Sequence, residues 1–258
     1  MRVLFNWGRN RRRGRLRAQP FPPEWLRIVE KNVPMYRRLS EEDRRALLGH
    51  VHVFLAEKRF EGCGGLELTD EIRVTIAAQA CVLLLRLQDN DYYSRLRSIL
   101  VYPRGYIAHQ ATQDGHVVHE GPSARLGESW ADGAVVLSWQ DARAGAANAG
   151  DGANVVLHEF AHQLDQEDGA ADGTPELESF AAYLPWARVL SEEYLALRRA
   201  ARKGGGTVLD RYGTQNEAEF FAVATEAFFE KPALLQRRHP ELYEELKDYY
   251  NQDPAANP

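Results

Sequence analysis

Two histidines four residues apart, with a glutamate directly after the first, stand in the run Asn154-Val155-Val156-Leu157-His158-Glu159-Phe160-Ala161-His162-Gln163-Leu164-Asp165. In a helix, positions i and i+4 project from one face, so His158 and His162 can grip a single metal ion. Zinc accepts neutral imidazole nitrogens at about 2.0–2.1 Å and, in catalytic sites, keeps a position open for water. Glu159 is turned to the side of the pair, where it can reach such a water and take its proton as a general base. A five-residue pattern of this kind also arises by chance, at roughly a few per cent in a chain with eight histidines. Here Val155, Val156, Leu157, Phe160, Ala161 and Leu164 carry the histidines into apolar surroundings, where two imidazoles without a partner would be costly.

A third metal ligand has two possible sources. Asp165 lies on the same helical face, but one turn beyond His162 its short side chain would have to curl back to the ion. The better source is Asn216-Glu217-Ala218-Glu219-Phe220-Phe221-Ala222-Val223-Ala224-Thr225-Glu226, an apolar helical segment carrying carboxylates. Glu219 and Glu226 share a face there, which suits one as ligand and the other as an outer partner that orients it; spacing does not choose between them. Tyr212, on sequence alone, reads as a packing residue. His50 and His52, two apart on a helix, point to different sides and read as surface or packed residues. His116 and His119 fall three apart on an expected strand, so they face opposite ways and make a poor joint site.

Helices are expected at residues 24–32 and, opened by the capping run Ser40-Glu41-Glu42-Asp43, through residue 55. Thr69-Asp70 caps a strongly apolar helix to about residue 87. Strands are expected at 98–102, 116–119 and 134–139, forming one small sheet beside the metal helix, with the edge of the 134–139 strand free to hold an extended peptide. Residues 142–152 read as a flexible stretch leading into the metal helix, with Asp151 as its cap. Helical pattern starts again at Thr174-Pro175, breaks at Pro185, resumes to Arg202, and returns at 216–230 and from Pro240. The fold class is therefore α+β, mostly helical with a small mixed sheet.

Net charge is −5, so no global basic field attracts nucleic acid or an anionic membrane. Arg2, Arg9, Arg11, Arg12, Arg13, Arg15 and Arg17 make residues 1–20 a basic, solvated arm, and 21–258 read as a single domain. No apolar run follows the arginines to make a secretion signal, and the longest apolar stretch is interrupted by Gln79 and Arg86. Two cysteines, Cys63 in a loop and Cys81 in a helix, are too few for a disulfide framework and suit a reducing, cytoplasmic setting.

Beyond the motif, Phe60-Glu61-Gly62-Cys63-Gly64-Gly65-Leu66, Ile99-Leu100-Val101-Tyr102-Pro103, Val136-Leu137-Ser138-Trp139 and the run from Tyr212 to Phe229 resemble the Mlc titration factor A family of zinc peptidases. That resemblance implies a zincin-like core similar to the gluzincins, in which a glutamate on a later helix completes the site. It implies one Zn2+ per chain held by His158, His162 and Glu219, with Glu159 as base and Tyr212 as a hydroxyl donor to the oxyanion. Gly213 beside it would permit a sharp turn that aims the ring into the cleft. The implied activity is aminopeptidase-like, on short peptides. The implied alternative is a regulatory protein that sequesters a glucose-responsive transcriptional repressor.

Overall fold

The computed structural model describes residues 2–87, 91–114, 117–125, 127–130, 133–148, 150, 152–204 and 206–256, with the backbone alone for 2–6 and 106–130. Where an arm was expected, Arg2–Arg17 forms helix α1. Arg13 explains the difference. Its guanidinium turns inward and donates to both carboxylate oxygens of Glu57 at 2.9 and 2.7 Å and to Asp91 at 2.6 Å, lying 4.7 Å above the Tyr92 ring. A run of arginines is solvated only on the side that finds no acidic partner, and here Arg11, Arg12 and Arg15 are exposed.

Helix α2 (Pro23–Asn32) begins on a proline, whose missing N–H is no loss in a first turn. Helix α3 (Glu41–Glu57) starts where the capping run places it, with the Ser40 hydroxyl accepting from the Asp43 N–H at 3.1 Å. Strand β1 (Arg59–Gly62) follows, then helix α4 (Asp70–Leu84), capped by Thr69. From Val74 to Leu84 every α4 residue is buried, so this helix runs through the middle of the molecule.

Strand β2 (Ser98–Tyr102) is followed by β3 (Tyr106–Asp114) and β4 (Val117–Arg125), which pair antiparallel as a separate ribbon. Residue 116 lies outside the described residues, and the His119 side chain is likewise not described. Strand β5 (Gly127–Trp130) leads to β6 (Ala134–Ser138). The main sheet has the order β1-β2-β6-β5, parallel except for β5, with Ile99 beside Val135 and Val101 beside Leu137. Thus β6 is an inner strand: β5 covers the edge that was expected to be free, and the antiparallel β5 is the outer strand.

The 142–152 stretch is mostly helix: α5 (Trp139–Ala147) starts at once after β6, capped by the Ser138 hydroxyl. Its small residues serve close packing, since a Cβ on Gly145 would lie 3.0 Å from the Ala153 carbonyl and 3.1 Å from the Asn154 Cα. Helix α6 (Val155–Asp165) carries the histidine motif and is capped by Asn154; Asp151 lies outside the described residues. It packs against β5 and β6 on one side and α4 and α5 on others. Phe160 pins it, with ring centroids 4.8 Å from Tyr93 and 5.7 Å from Phe54.

No helix starts at Thr174. A short 3-10 turn, Phe180–Ala182, leads into α7 (Tyr183–Arg202), and Pro185 sits in its first turn, where it breaks nothing. Helices α8 (Glu217–Glu230), α9 (Pro232–Arg238) and α10 (Pro240–Tyr250) complete the chain, and the Thr225 hydroxyl meets the Tyr250 hydroxyl at 2.8 Å to fix α8 on α10. The architecture is α+β, mostly helical with a small mixed sheet. Among the described residues no helix is long and apolar enough to cross a membrane.

Candidate metal centre

Helices α6 and α8 lie against each other, and each begins on an asparagine. Asn154 Oδ1 accepts from the N–H groups of Val156 and Leu157, both at 3.1 Å, and Asn216 Oδ1 accepts from Glu219 N–H at 2.9 Å. These caps fix the first turn of each helix, which carries His158 on α6 and Glu219 on α8. The Nε2 atoms of His158 and His162 are 3.2 Å apart; Glu219 Oε2 stands 2.9 Å from the first and 3.4 Å from the second. Tetrahedral ligands at about 2.0–2.1 Å from zinc would be about 3.3–3.4 Å apart, so this triangle fits such an ion after small adjustments. Among the described residues, His158, His162 and Glu219 form the group whose donor atoms converge for a metal.

On its far side His158 Nδ1 meets Glu226 Oε1 at 2.7 Å. A carboxylate only accepts, so Nδ1 donates to Glu226, which leaves Nε2, the nitrogen turned toward Glu219 and His162, as the one that a bound metal would take in place of its hydrogen. Burial lowers the His158 pKa, but hydrogen bonds with Glu219 and Glu226 outweigh it and raise the ring well above its ordinary value. Burial likewise raises the Glu219 carboxyl, and hydrogen bonds from His158 and His162 outweigh that to bring it down to about 2. The two shifts describe one pairing, a charged His158 held between ionised carboxylates.

The sequence matches the family described as glucose-regulated metallo-peptidase M90 over residues 6–251. This chain belongs to that family. Among its relatives is the Synechocystis protein slr2042, 43% identical over 261 residues that cover 99% of this chain and 94% of that one. Mlc titration factor A of Yersinia pestis is 30% identical over 260 residues, covering 98% of this chain and 92% of the relative, and that of Yersinia pseudotuberculosis is equally similar. Membership implies a metallopeptidase, and hence a metal ion, which agrees with the converging donor atoms of His158, His162 and Glu219.

The other residues of this M90 chain singled out from sequence divide cleanly. Glu159 is buried beside the cluster, and its charge adds to the field that raises His158. Tyr212 lies in a 3-10 turn, Arg211–Thr214, whose start is fixed by Asp210 accepting from the Tyr212 N–H at 2.7 Å. The residue is 47% exposed and its ring meets the His158 ring edge-on at 5.7 Å, so it borders the cluster rather than packing in the core. Gly213 does not make a left-handed turn; it allows close approach, since a Cβ there would lie 3.3 Å from Phe220 Cα and 3.3 Å from Leu197 Cδ2.

Asp165 is buried outside the cluster, and neither of its oxygens makes a hydrogen bond of ordinary geometry. Burial pushes its carboxyl up to about 6, offset in part by the amides of Gly173 and Thr174 and the charge of His162. His50 is packed, its Nδ1 2.6 Å from the Tyr92 hydroxyl, and His52 sits between Phe21 and Trp25. Cys81 is buried and Cys63 half-buried, both as free thiols. Sequence reasoning missed Asn154: an asparagine directly before an apolar helical run was the available cap signal.

Proposed function

We propose that this chain is a zinc-dependent peptidase with a zincin-like core, in which His158, His162 and Glu219 hold the ion and Glu159 is the general base. The observation that carries this reading is the triangle of two Nε2 atoms and one Oε2 atom, with separations of 3.2, 2.9 and 3.4 Å. Zinc bound there would polarise a peptide carbonyl and make water acidic enough to supply a nucleophile at neutral pH. Glu159, next to His158 on α6, takes the proton from the attacking water and passes it to the leaving amine. The Tyr212 hydroxyl, on a turn held beside His158, donates a hydrogen bond to the oxyanion that develops on the attacked carbonyl. Glu226 holds the His158 ring in the orientation and tautomer that the ion needs.

The substrate of this reading is a short peptide, cleaved in aminopeptidase fashion in the cytoplasm. An outer antiparallel strand beside α6 supports it, because the outer edge of β5, unpaired among the described residues, can pair with an extended peptide by main-chain hydrogen bonds. A second reading has its own support: the Yersinia relatives are named for titrating Mlc, which favours capture of a repressor protein as a further or principal role.

One variant separates the two. Glu159→Gln keeps the shape and the metal donors but removes the base, so hydrolysis of aminoacyl reporter peptides is expected to vanish while zinc content and repressor capture persist. Hydrolysis that survives both Glu159→Gln and a chelator would overturn the enzymatic reading.

A further inference from the structure

Behind the donor triangle runs a chain of fully buried polar groups that no metal site requires in itself. Asn154 is 0% exposed, and its amide is used to capacity. Oδ1 accepts the two N–H groups that open α6, while Nδ2 donates to Gln79 Oε1 at 2.8 Å and to Glu230 Oε1 at 3.0 Å. Two acceptors on one side and two donors on the other leave a single orientation for this amide. Gln79 is oriented too, since its Nε2 donates to the Thr75 carbonyl at 3.3 Å, which turns Oε1 toward Asn154. Finally, the Asn154 N–H donates to Glu226 Oε2, the second oxygen of the carboxylate that holds His158 through Oε1.

We propose that Asn154 is a positioning residue for the metal centre, acting through Glu226 on His158, and that its second function beyond helix capping depends on the amide Nδ2 that ties α6 to Gln79 of α4 and Glu230 of α8. The proposal rests on the metal-centre reading above. Its physical content is a matter of polarity. Aspartate and serine would cap α6 as well as asparagine does, and threonine nearly so. None of them has an N–H2 group to present to two buried acceptors at once. Aspartate would also place a third carboxylate beside Glu226 and Glu230, both buried, and Glu226 would have to move away from the Asn154 backbone or release His158.

The test uses the full chain and Co2+ as the probe, because its visible spectrum reports the geometry of the ligands as well as occupancy. Asn154→Asp keeps the cap and is expected to weaken Co2+ binding about 10- to 100-fold, as loss of outer partners does, with an altered ligand-field spectrum. The double variant Asn154→Asp, Glu230→Gln restores the pairing with position 230, donor and acceptor exchanged, and returns the charge count to its original value, while Gln79 Oε1 still faces a carboxylate oxygen. It is expected to recover part of the lost affinity, binding Co2+ more tightly than Asn154→Asp, and to move the spectrum back toward that of the unaltered chain. A residue that only capped the helix would give native Co2+ affinity in Asn154→Asp, and that result overturns the proposal; so does a loss that the double variant leaves unrepaired. If Asn154→Asp fails to fold, Gln79→Leu carries the same test, with weakened Co2+ binding in a folded chain expected and unchanged binding overturning it. Failure of the unaltered chain to bind Co2+ at one site would overturn the metal centre itself, and is distinct from each of these outcomes.

Discussion

Replacing Arg13 by methionine tests whether the basic beginning of the chain is part of the fold. Methionine keeps the buried stem of the side chain and removes only the guanidinium. The group lost makes three charge-assisted contacts of 2.6 to 2.9 Å with Glu57 and Asp91, and its side chain is 7% exposed. Breaking a buried ion pair from one side costs about 3–5 kcal/mol when the remaining charge stays dry. Glu57 and Asp91 retain 14% and 29% exposure, and Asp91 keeps Arg9 at 2.8 Å, so water and Arg9 recover part of the loss. The expected cost is about 2–3 kcal/mol, which for a chain of this size lowers Tm by roughly 4–12 °C. Arg12→Met, at an exposed position on the same helix, is expected to change stability by less than about 0.5 kcal/mol. Both are read by urea unfolding of the chelator-treated chain, so that metal linkage does not enter. Equal midpoints for the two variants would refute the docking argument and return α1 to the status of a solvated arm.

Asp165 gives a pH prediction for the same metal-free chain. Its carboxyl is raised from 3.8 to about 6, so its contribution to stability is fully present below about pH 4 and is lost as pH rises to 6. Two units correspond to about 3 kcal/mol, and Asp165→Asn should remove that decline; parallel stability curves for the two proteins from pH 4 to 7 would contradict it. Glu219→Ala is expected to abolish stoichiometric zinc binding, and native zinc content by metal analysis would discard it as a ligand. Tyr212→Phe should lower kcat by roughly 10- to 1,000-fold with KM and zinc content nearly unchanged, whereas unaltered kcat would leave Tyr212 with a packing role.

What the sequence disclosed was local. His158 and His162 share a helix, and Ser40 and Thr69 cap as their neighbours foretell. The carboxylates Glu219 and Glu226 looked out of place among Phe and Ala, and both meet the His158 ring, one at each nitrogen. What stayed hidden was partnership over distance. Arg13 finds Glu57 and Asp91, 44 and 78 positions away, and no periodicity within residues 1–20 announces such partners. The alanines and the glycine of α5 look like a linker because small residues serve both loose chain and tight packing. The order of the sheet was hidden for the same reason, since β5 is short and nothing in its own sequence marks it as the strand that flanks β6.

The donors come from two stretches of chain that are far apart: two from α6 and the third from α8, with Glu219 following His162 by 57 positions. An ion held by all three is a cross-link that closes a loop containing all of α7. Such a closure restricts the unfolded chain as a disulfide of the same span would, but it can be undone by a chelator in seconds and without reduction. On the proposed metal centre, the segment from 166 to 216 would have two regimes of lifetime. Loaded with metal, it should resist a protease; stripped of metal, it should be the first part of the chain to be cut, so that metal supply would govern how long the protein survives as well as whether it is active.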